Sequence, residues 1–214
     1  VAELIDDLIV KQTNPTLAIY ARRGEIIIRI TAKAVDATAA TVMLDEGEAA
    51  LRERLEKYIY GVDDETLASY LGKKLLKQHK TISFAESCTG GLASNLVTDI
   101  AGSSEYLIGS IVTYTNEAKH NLLKVKEETL NAYGAVSEET ALEMAQGVRK
   151  LFGSDFGVGI TGNAGPGGSE GKPVGLVYIA IATPDEVYCK EFNFTSTRIE
   201  NKLRIALTAI SMVI

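Results

Sequence analysis

Residues 81–91, TISFAESCTGG, decide the fold of the larger part of this 214-residue chain. The first five of these residues, TISFA, predict a short β-strand. A loop centred on Ser87 follows, and a helix is predicted from about Gly91 to Ile100. A strand that leads through a short loop into a helix is the repeating unit of layered α/β domains.

The same alternation of strands and helices continues on both sides of this segment. Ahead of it, Asp63-Asp64 is a suitable N-cap pair for a helix whose apolar residues recur at helical spacing. Further strands are predicted at 107–115, 156–160, 174–182 and 186–194, and further helices at 116–133, 138–152 and 197–214. The segment VGLVYIAIA at 174–182 is apolar throughout, which is typical of a strand inside a sheet. We therefore expect an α/β fold, a three-layer α/β/α domain over residues 63–214.

The first 62 residues predict a separate and smaller unit. The pattern is a helix at 2–12, strands at 17–21 and 25–31 around a turn at Arg22-Arg23-Gly24, a helix at 34–57 and a strand at 58–60. This α-β-β-α-β order predicts a small α+β domain over residues 1–62, with the domain boundary after residue 62.

The charge of the chain excludes a nucleic-acid partner. The net charge is −6, from 22 basic and 28 acidic residues; residues 1–60 contain 8 and 10 of them, which leaves 14 and 18 for the remainder. Neither part has the basic excess that is typical of a nucleic-acid binder. A small anionic ligand remains compatible with this charge, because backbone N–H groups can bind a phosphate.

The sequence also lacks the features of a secreted or membrane protein. Its two cysteines, Cys88 and Cys189, are too few for a disulfide framework or a metal site. No apolar run approaches the roughly 18 residues that span a bilayer, and no secretory signal opens the sequence. We expect a cytoplasmic protein with no metal, no cofactor and no membrane partner. Because Val1 already lies inside a helical pattern, we interpret the chain as a piece of a longer protein or a processed form.

The loop after the first strand of the larger unit is the first candidate for chemistry, because ligands of α/β sheets bind at the carboxyl ends of strands. Ser87 there would expose a hydroxyl group. The following residues, Thr89, Gly90 and Gly91, would offer backbone N–H groups to an oxyanion or a phosphate. The alternative is a tight turn in which Ser87 serves only as a helix N-cap, and the pattern favours neither interpretation.

The loop TGNAGPGG at 161–168 is the second candidate. Five of the 19 glycines lie between residues 162 and 171, and such a loop can approach a ligand closely or form an anion nest. It is neither a Walker A loop nor a dinucleotide fingerprint, because no Gly-Lys-Ser/Thr follows and it leads toward a strand. A flexible surface loop is the alternative. Its position after a buried strand favours a ligand loop formed by Gly162, Asn163, Ala164 and Gly165.

A base for Ser87 is not evident from the pattern alone. The two histidines, His79 and His120, give poor support to a Ser-His-Asp triad. A lysine can act as the base if burial lowers its pKa, and Lys119 begins a helix just after a strand. The pattern does not distinguish Lys119 from the other lysines. Arg198, just before the last helix, would either bind a phosphate or be an exposed charge.

Three long motifs of the larger unit resemble the CinA family of competence/damage-inducible proteins. They are AESCTGG at 85–91, VTYTNEAK at 112–119 and GNAGPGG at 162–168, and their order and spacing agree with the family's carboxyl-terminal domain over 63–214. Residues 1–61, with QTNPTLAIYA and EIIIRITAKA, resemble the family's KH-like middle domain. The resemblance implies that the full-length protein has a further amino-terminal domain, which is missing from this sequence.

The resemblance implies a nicotinamide-nucleotide amidase, which hydrolyses nicotinamide mononucleotide to nicotinic acid mononucleotide and ammonia. By this resemblance Ser87 is the nucleophile of a Ser-Lys pair, Lys119 is its base, and Tyr114 lies in the same pocket. Arg198 falls at a substrate-contacting position, and Lys202 or Arg204 fills a second basic position on the same helix. The family's dimers imply a homodimer.

A non-catalytic module that senses nucleotides or binds a partner is the alternative, because the family's name links it to competence and DNA damage. The presence of Ser87, Tyr114 and Lys119 favours the enzyme. The KH-like unit has no Gly-x-x-Gly between its helices, so RNA binding is not implied. A pyrophosphatase would require the missing amino-terminal domain and its metal.

Overall fold

The computed structural model describes residues 1–22, 24–168 and 170–214. These residues separate into two compact units, Val1–Glu65 and Thr66–Ile214, and each has its own buried core. Over the described residues, no helix combines the length and the apolarity that a membrane crossing requires.

The smaller unit is a two-stranded antiparallel sheet with helices packed on it. Its elements are a 3₁₀ turn at Ala2–Ile5, α1 at Asp6–Lys11, β1 at Thr16–Arg22, β2 at Glu25–Thr31, α2 at Ala37–Leu55 and a 3₁₀ turn at Glu56–Tyr58. Ile19 lies opposite Ile28 in the sheet, and both pack against the buried Ile5, Leu51 and Leu55. Burial of these apolar side chains stabilises the unit.

The predicted strand at 58–60 is wrong. Glu56–Tyr58 forms a 3₁₀ turn, and the Ile59 N–H donates to the Glu56 carbonyl. Tyr60 is attached to β2 through its side chain, whose hydroxyl donates to the Glu25 carboxylate, and not through backbone pairing. Arg23, at the centre of the predicted hairpin turn, lies outside the described residues.

The larger unit begins with a helix that is capped by Thr66, and the predicted Asp63-Asp64 cap is wrong. The Thr66 hydroxyl accepts from the Ser69 N–H at 3.1 Å, and the Ser69 hydroxyl accepts from the Thr66 N–H at 2.9 Å. This reciprocal capping box satisfies two N–H groups at once and starts α3 at Leu67–Gln78. Asp63 has a left-handed backbone, φ 54°, whereas an N-cap residue is normally extended.

Five strands form the central sheet of the larger unit in the order β4-β3-β5-β6-β7. They are β3 at Ile82–Glu86, β4 at Leu107–Val112, β5 at Phe156–Gly162, β6 at Leu176–Ala182 and β7 at Val187–Asn193. β3 pairs in parallel with β4 and β5, whereas β6 and β7 run antiparallel to their neighbours. The carboxyl ends of β3, β4 and β5 therefore meet at one edge of the sheet, where a ligand site is expected.

Helices cover both faces of this sheet. The remaining helices are α4 at Leu92–Thr98, α5 at Asn116–Leu123, α6 at Glu127–Tyr133, α7 at Glu138–Phe152 and α8 at Arg198–Val213, with a 3₁₀ turn at Ser103–Glu105. α7 packs on β3, β5 and β6 together with α5 and α6, whereas α3, α4 and α8 pack with one another on the other side. The expected three-layer α/β/α arrangement is confirmed.

Two glycines of β5 allow α7 to approach the sheet closely. A Cβ on Gly159 would lie 2.4 Å from the Ala141 carbonyl oxygen and 2.7 Å from the Ala145 backbone nitrogen. A Cβ on Gly157 would lie 2.3 Å from the Ala145 carbonyl oxygen. Both obstacles are helix backbone, which cannot move aside as a flexible side chain can. The distance between α7 and the sheet therefore depends on these two glycines.

We expect Gly159→Ala to destabilise the larger unit by about 1–3 kcal/mol, because the added methyl group overpacks the contact with α7. Gly167→Ala is the matched control, since a Cβ there meets nothing within 4 Å. Urea unfolding of both variants measures the change. Equal midpoints for the two variants would contradict the close contact between β5 and α7.

Candidate active site

Ser87 lies between the last residue of β3 and the loop that leads into α4. Its N–H donates to the Ile160 carbonyl at 3.0 Å, which extends the parallel pairing of β3 with β5 by one residue. The residue is buried, with 8% of its surface exposed. The Ser87 backbone is therefore fixed by the sheet, whereas the groups that follow belong to the loop.

Lys119 reaches Ser87 from α5. The Thr115 hydroxyl caps this helix by accepting from the Ala118 N–H, and Lys119 lies on its buried side. The Lys119 Nζ donates to Ser87 Oγ at 3.1 Å and to the Thr113 carbonyl at 2.8 Å. The structure thus brings together the nucleophile and the base that the resemblance implied.

The environment of Lys119 disfavours its charged form. The residue is 1% exposed, and neither of its two hydrogen-bond partners is a carboxylate. Burial lowers the pKa of Lys119 from its ordinary 10.5 to about 8, against a smaller opposing influence of Cys88 and Glu170. An amine with this pKa can act as a general base near neutral pH.

Glu86 fixes the loop on the other side of Ser87. Its carboxylate is fully buried and accepts from the N–H groups of Gly91, Ala93 and Ser94 at 3.0, 3.1 and 2.9 Å. It also accepts from the Ser94 hydroxyl at 2.5 Å. These bonds satisfy three N–H groups at and just before the start of α4, which would otherwise lack an intrahelical partner. Sequence reasoning missed this role, although an acidic residue shortly before a helix is a recognisable signal.

The remaining amides of the loop define a narrow site beside Ser87. The Gly90 N–H donates to the Ser87 carbonyl at 3.1 Å, and the Gly91 N–H is bound to Glu86. In the described part of the chain, the N–H groups of Cys88 and Thr89 have no recorded bond to another residue. Both lie directly after Ser87, where an N–H group can donate to an oxyanion.

Cys88 is a packing residue of the loop rather than a second nucleophile. It is 6% exposed, and burial raises the pKa of its thiol to about 12. A thiol with that pKa remains protonated at neutral pH, and the nucleophilic species of cysteine is the thiolate.

Arg198 and Tyr114 form a contact at the rim of the pocket. Arg198 is the first residue of α8. It donates through Nη2 to the Tyr114 hydroxyl at 3.1 Å and through Nη1 to the Gly165 carbonyl. Tyr114 is 61% exposed, and its recorded hydrogen bond is to Arg198 rather than to Ser87 or Lys119. Arg198 therefore links Tyr114 to the loop that contains Gly165.

The predicted glycine loop is held in place by α8. Gly162 belongs to β5 and pairs with Val177. The Ala164 carbonyl accepts from the Asn201 side chain at 3.2 Å, and the Gly165 N–H donates to the Asn163 side chain at 3.2 Å. Most backbone N–H and C=O groups of residues 162–165 thus form hydrogen bonds within the protein. The loop is therefore poorly suited to bind an anion as a nest.

A second attachment holds the far side of this loop. The Glu170 carboxylate accepts from the N–H groups of Ala135 and Val136 at 3.1 and 3.2 Å. The Lys172 ammonium group donates to the carbonyls of Tyr133 and Val136. Both charged side chains therefore bind one turn between α6 and α7, close enough that Glu170 influences the pKa of Lys119.

Lys202 is the second basic residue of the pocket, and Arg204 is exposed on α8. The Lys202 Nζ lies 3.5 Å from the position that a Cβ on Gly90 would occupy. Lys202 is therefore the one of these two residues that lies beside the Ser87 loop, because residues two apart on a helix point in different directions.

Three buried polar atoms around the site have no hydrogen-bond partner in the described structure. They are Thr89 Oγ1, Thr113 Oγ1 and Asn163 Nδ2. Buried polar groups are usually paired, so these atoms are candidates to contact a substrate. Within the described residues there is no group of three or more His, Cys, Asp or Glu side chains that could hold a metal ion.

Two family models match this chain and together cover both units. One is the CinA C-terminal domain at residues 64–214, and the other is the damage-inducible protein CinA KH domain at residues 1–61. A CinA-like protein of Prochlorococcus marinus is 48% identical over 204 residues, which are 94% of this chain and 48% of that protein. A CinA-like protein of Kosmotoga olearia is 45% identical over 214 residues, which are 100% of this chain and 52% of that protein. The chain spans about half the length of the curated relatives it matches.

Solved structures give the same result for the fold. The competence/damage inducible protein CihA from Agrobacterium tumefaciens has a TM-score of 0.67 and 42% identity, covering 72% of this chain and 95% of that one. The competence damage-inducible protein A (ComA) from Klebsiella pneumoniae has a TM-score of 0.67 and 31% identity, covering 68% and 91%. The family models, the relatives and these structures agree: the chain belongs to the CinA family, with a C-terminal CinA domain preceded by a CinA KH domain.

Proposed function

We propose that this chain is an amidohydrolase that removes the carboxamide nitrogen of nicotinamide mononucleotide. The observation that carries the proposal is the 3.1 Å hydrogen bond from the buried Lys119 Nζ to Ser87 Oγ. With a pKa of about 8, about a tenth of the Lys119 amines are neutral at pH 7 and able to accept a proton. Membership of the CinA family supports the same assignment through the resemblance, whereas the names of the relatives do not state an activity.

The first half of the reaction forms an acyl-enzyme. Neutral Lys119 accepts the Ser87 proton, and Ser87 Oγ attacks the carboxamide carbon. The N–H groups of Cys88 and Thr89 stabilise the negative charge on the carbonyl oxygen. The protonated lysine then donates its proton to the departing nitrogen. The C–N bond breaks, ammonia leaves, and the nicotinoyl group remains as an ester on Ser87.

The second half regenerates the enzyme by hydrolysis. Neutral Lys119 accepts a proton from water, and the resulting hydroxide attacks the ester carbon. The bond to Ser87 Oγ then breaks, and Lys119 returns the proton to the serine. The sum is one amide and one water converted to one carboxylic acid and one ammonia. The Thr113 carbonyl, 2.8 Å from Lys119 Nζ, keeps the amine oriented through both halves.

The rim of the pocket supplies the groups for the rest of the nucleotide. Arg198 and Lys202 are the two cations that α8 directs toward the site, and a phosphate group needs such partners. Tyr114 offers an exposed aromatic face beside Arg198, which suits a positively charged pyridinium ring. Asn163 Nδ2 adds a buried donor without a partner in the described structure.

The proposal is tested by ammonia release from nicotinamide mononucleotide. We expect Ser87→Ala to lower kcat by at least about 10³-fold and Lys119→Met by about 10²–10⁴-fold, because they remove the nucleophile and the base. Lys150→Met, which removes an exposed lysine of α7, is the matched control and should keep its activity. Full activity in Ser87→Ala would reject Ser87 as the nucleophile, whereas nucleotide binding by wild type without ammonia release would favour the binding module as the function.

The pH dependence of kcat/KM provides a second test. The reactive form contains neutral Lys119, so we expect kcat/KM to rise with pH and to level off above a midpoint near 8. The phosphate of the substrate titrates near pH 6, well below this midpoint. Lys119→Met should lose the inflection near 8 in its residual activity. If that inflection persists in the variant, another group is the base.

The lowered pKa of Lys119 also predicts how stability changes with pH. The unfolded chain, with the ordinary pKa of 10.5, binds more protons than the folded chain between pH 8 and 10.5. The cost of burying the charge is therefore fully present below pH 8 and is relieved as the pH rises toward 10.5. We expect wild type to gain on the order of 1–3 kcal/mol relative to Lys119→Met between pH 7 and 10, measured by urea unfolding. If the difference in unfolding free energy between wild type and Lys119→Met does not change with pH, the pKa of Lys119 is not lowered by burial.

A further inference from the structure

Glu86 is a buried carboxylate whose negative charge the catalytic steps do not use. It is 0% exposed, and the bonds recorded for it are to three backbone N–H groups and one hydroxyl, with no cation among them. Each oxygen accepts two of these bonds: Oε2 from Gly91 and Ala93, and Oε1 from the Ser94 N–H and hydroxyl. A buried charge is costly, so its retention directly before Ser87 needs an explanation.

We propose that Glu86 is a positioning residue that sets the shape of the Ser87 turn and excludes the phosphate of the substrate from it. The inference rests on the proposed amidase function. The carboxylate occupies the amides at the start of α4, leaves those of Cys88 and Thr89 available to the oxyanion, and directs the substrate's own negative charge to α8.

The positioning role follows from the pattern of bonds in the turn. Glu86 is bonded to residues five to eight positions further along the chain, so its side chain closes the loop that carries Ser87. Within this loop the Gly90 N–H is bound to the Ser87 carbonyl. Cys88 and Thr89 lie between Ser87 and Gly90, whose backbone groups are hydrogen-bonded. These bonds fix the directions of the Cys88 and Thr89 N–H groups. A preorganised donor stabilises an oxyanion far better than one that must reorient during the reaction.

The need for a carboxylate, and not merely for a polar side chain, follows from the donors that it meets. All four partners donate, and a glutamine has one acceptor oxygen and one NH₂ group. With its NH₂ group toward Gly91 and Ala93 it would lose two bonds, and with its NH₂ group toward Ser94 it would lose the bond to the Ser94 N–H and oblige the Ser94 hydroxyl to turn and accept. Glu86→Gln is therefore a change of the same shape that should relax the turn.

The exclusion of phosphate follows from charge. Backbone N–H groups at a loop rich in glycine commonly bind phosphate, which is why the sequence indicated Gly90 and Gly91 as ligand residues. In the structure the Gly91 N–H already binds a carboxylate, and a second anion beside it would be repelled. The cations Lys202, beside Gly90, and Arg198, beside Gly165, are the partners left for the phosphate. The carboxamide is then bound at the Ser87 turn and the phosphate toward α8.

The test compares nicotinamide mononucleotide with nicotinamide riboside, which lacks the phosphate. We expect Glu86→Gln to lower kcat by about 10²-fold for both substrates and to keep the ratio of their kcat/KM values within about threefold. Ser94→Ala, which removes only one of the four bonds, should lower kcat by about 3- to 10-fold. Lys202→Met should lower the ratio about tenfold, because its partner is the phosphate. The matched control is Ser83→Ala, which removes another buried hydroxyl of β3 away from the loop and should keep kcat.

Two results would overturn the proposal. One is a kcat for Glu86→Gln equal to that of wild type. The other is a fall in the substrate ratio for Glu86→Gln similar to that for Lys202→Met, because it would show that the Ser87 turn binds the phosphate. If Glu86→Gln fails to fold, Ser94→Ala decides the positioning role, since a kcat equal to that of Ser83→Ala contradicts it.

A binding measurement separates this inference from the amidase proposal. Absence of ammonia release by wild type would reject the amidase, but inorganic phosphate can still be titrated calorimetrically into the same proteins. We expect Lys202→Met to weaken phosphate binding about tenfold and Glu86→Gln to leave it unchanged or strengthen it. Weaker phosphate binding by Glu86→Gln would reject the exclusion of phosphate from the turn, and absence of phosphate binding by wild type would reject the direction of the phosphate to α8.

Discussion

The desolvation of one lysine is the constraint on which the site of this protein depends. An amine in water is protonated at neutral pH and cannot take a proton from a serine. Lys119 escapes this limit because α5 packs it inside the domain, with only a hydroxyl and a carbonyl as partners. Lys119 lies on α5, and α5 packs against α7. The close packing of α7 on the sheet through Gly157 and Gly159 therefore contributes to the burial of Lys119. The fold thus buries the Lys119 amine, and this burial lowers its pKa.

Ser87 lies between two buried ionisable side chains that are treated in opposite ways. Glu86 is surrounded by donors, whereas Lys119 has few partners and a lowered pKa. Hydrogen bonds to a charged form favour it, and desolvation without compensation disfavours it. The same short stretch of sheet edge therefore holds a carboxylate that accepts four hydrogen bonds beside an amine whose pKa is lowered by burial. Their different surroundings, more than their distance from Ser87, set their different roles.

Sequence reasoning succeeded where the signal was local. The order of strands and helices, the helix at 138–152, and the position of Ser87 after a strand were all predicted. It failed where two local signals competed: Thr66 capped α3 instead of Asp63, and residues 58–60 formed no strand. The meeting of Ser87 with Lys119, 32 positions apart, came from the resemblance, because no local pattern encodes it. The hydrogen bonds from the loop N–H groups to Glu86 were missed, although an acidic residue shortly before a helix is a signal for them.

The position of α8 at the end of the chain determines when its contacts can form during synthesis. Arg198, Asn201 and Lys202 all lie on α8, and through them this helix reaches Tyr114, Ala164 and the neighbourhood of Gly90. α8 follows every strand of the sheet in the sequence, so these contacts cannot form until all five strands have been synthesised. During translation, the Ser87 turn and α5 emerge long before the helix that completes the wall around them. A nascent chain would thus carry its serine and lysine before α8 can make its contacts with Tyr114, Ala164 and the neighbourhood of Gly90.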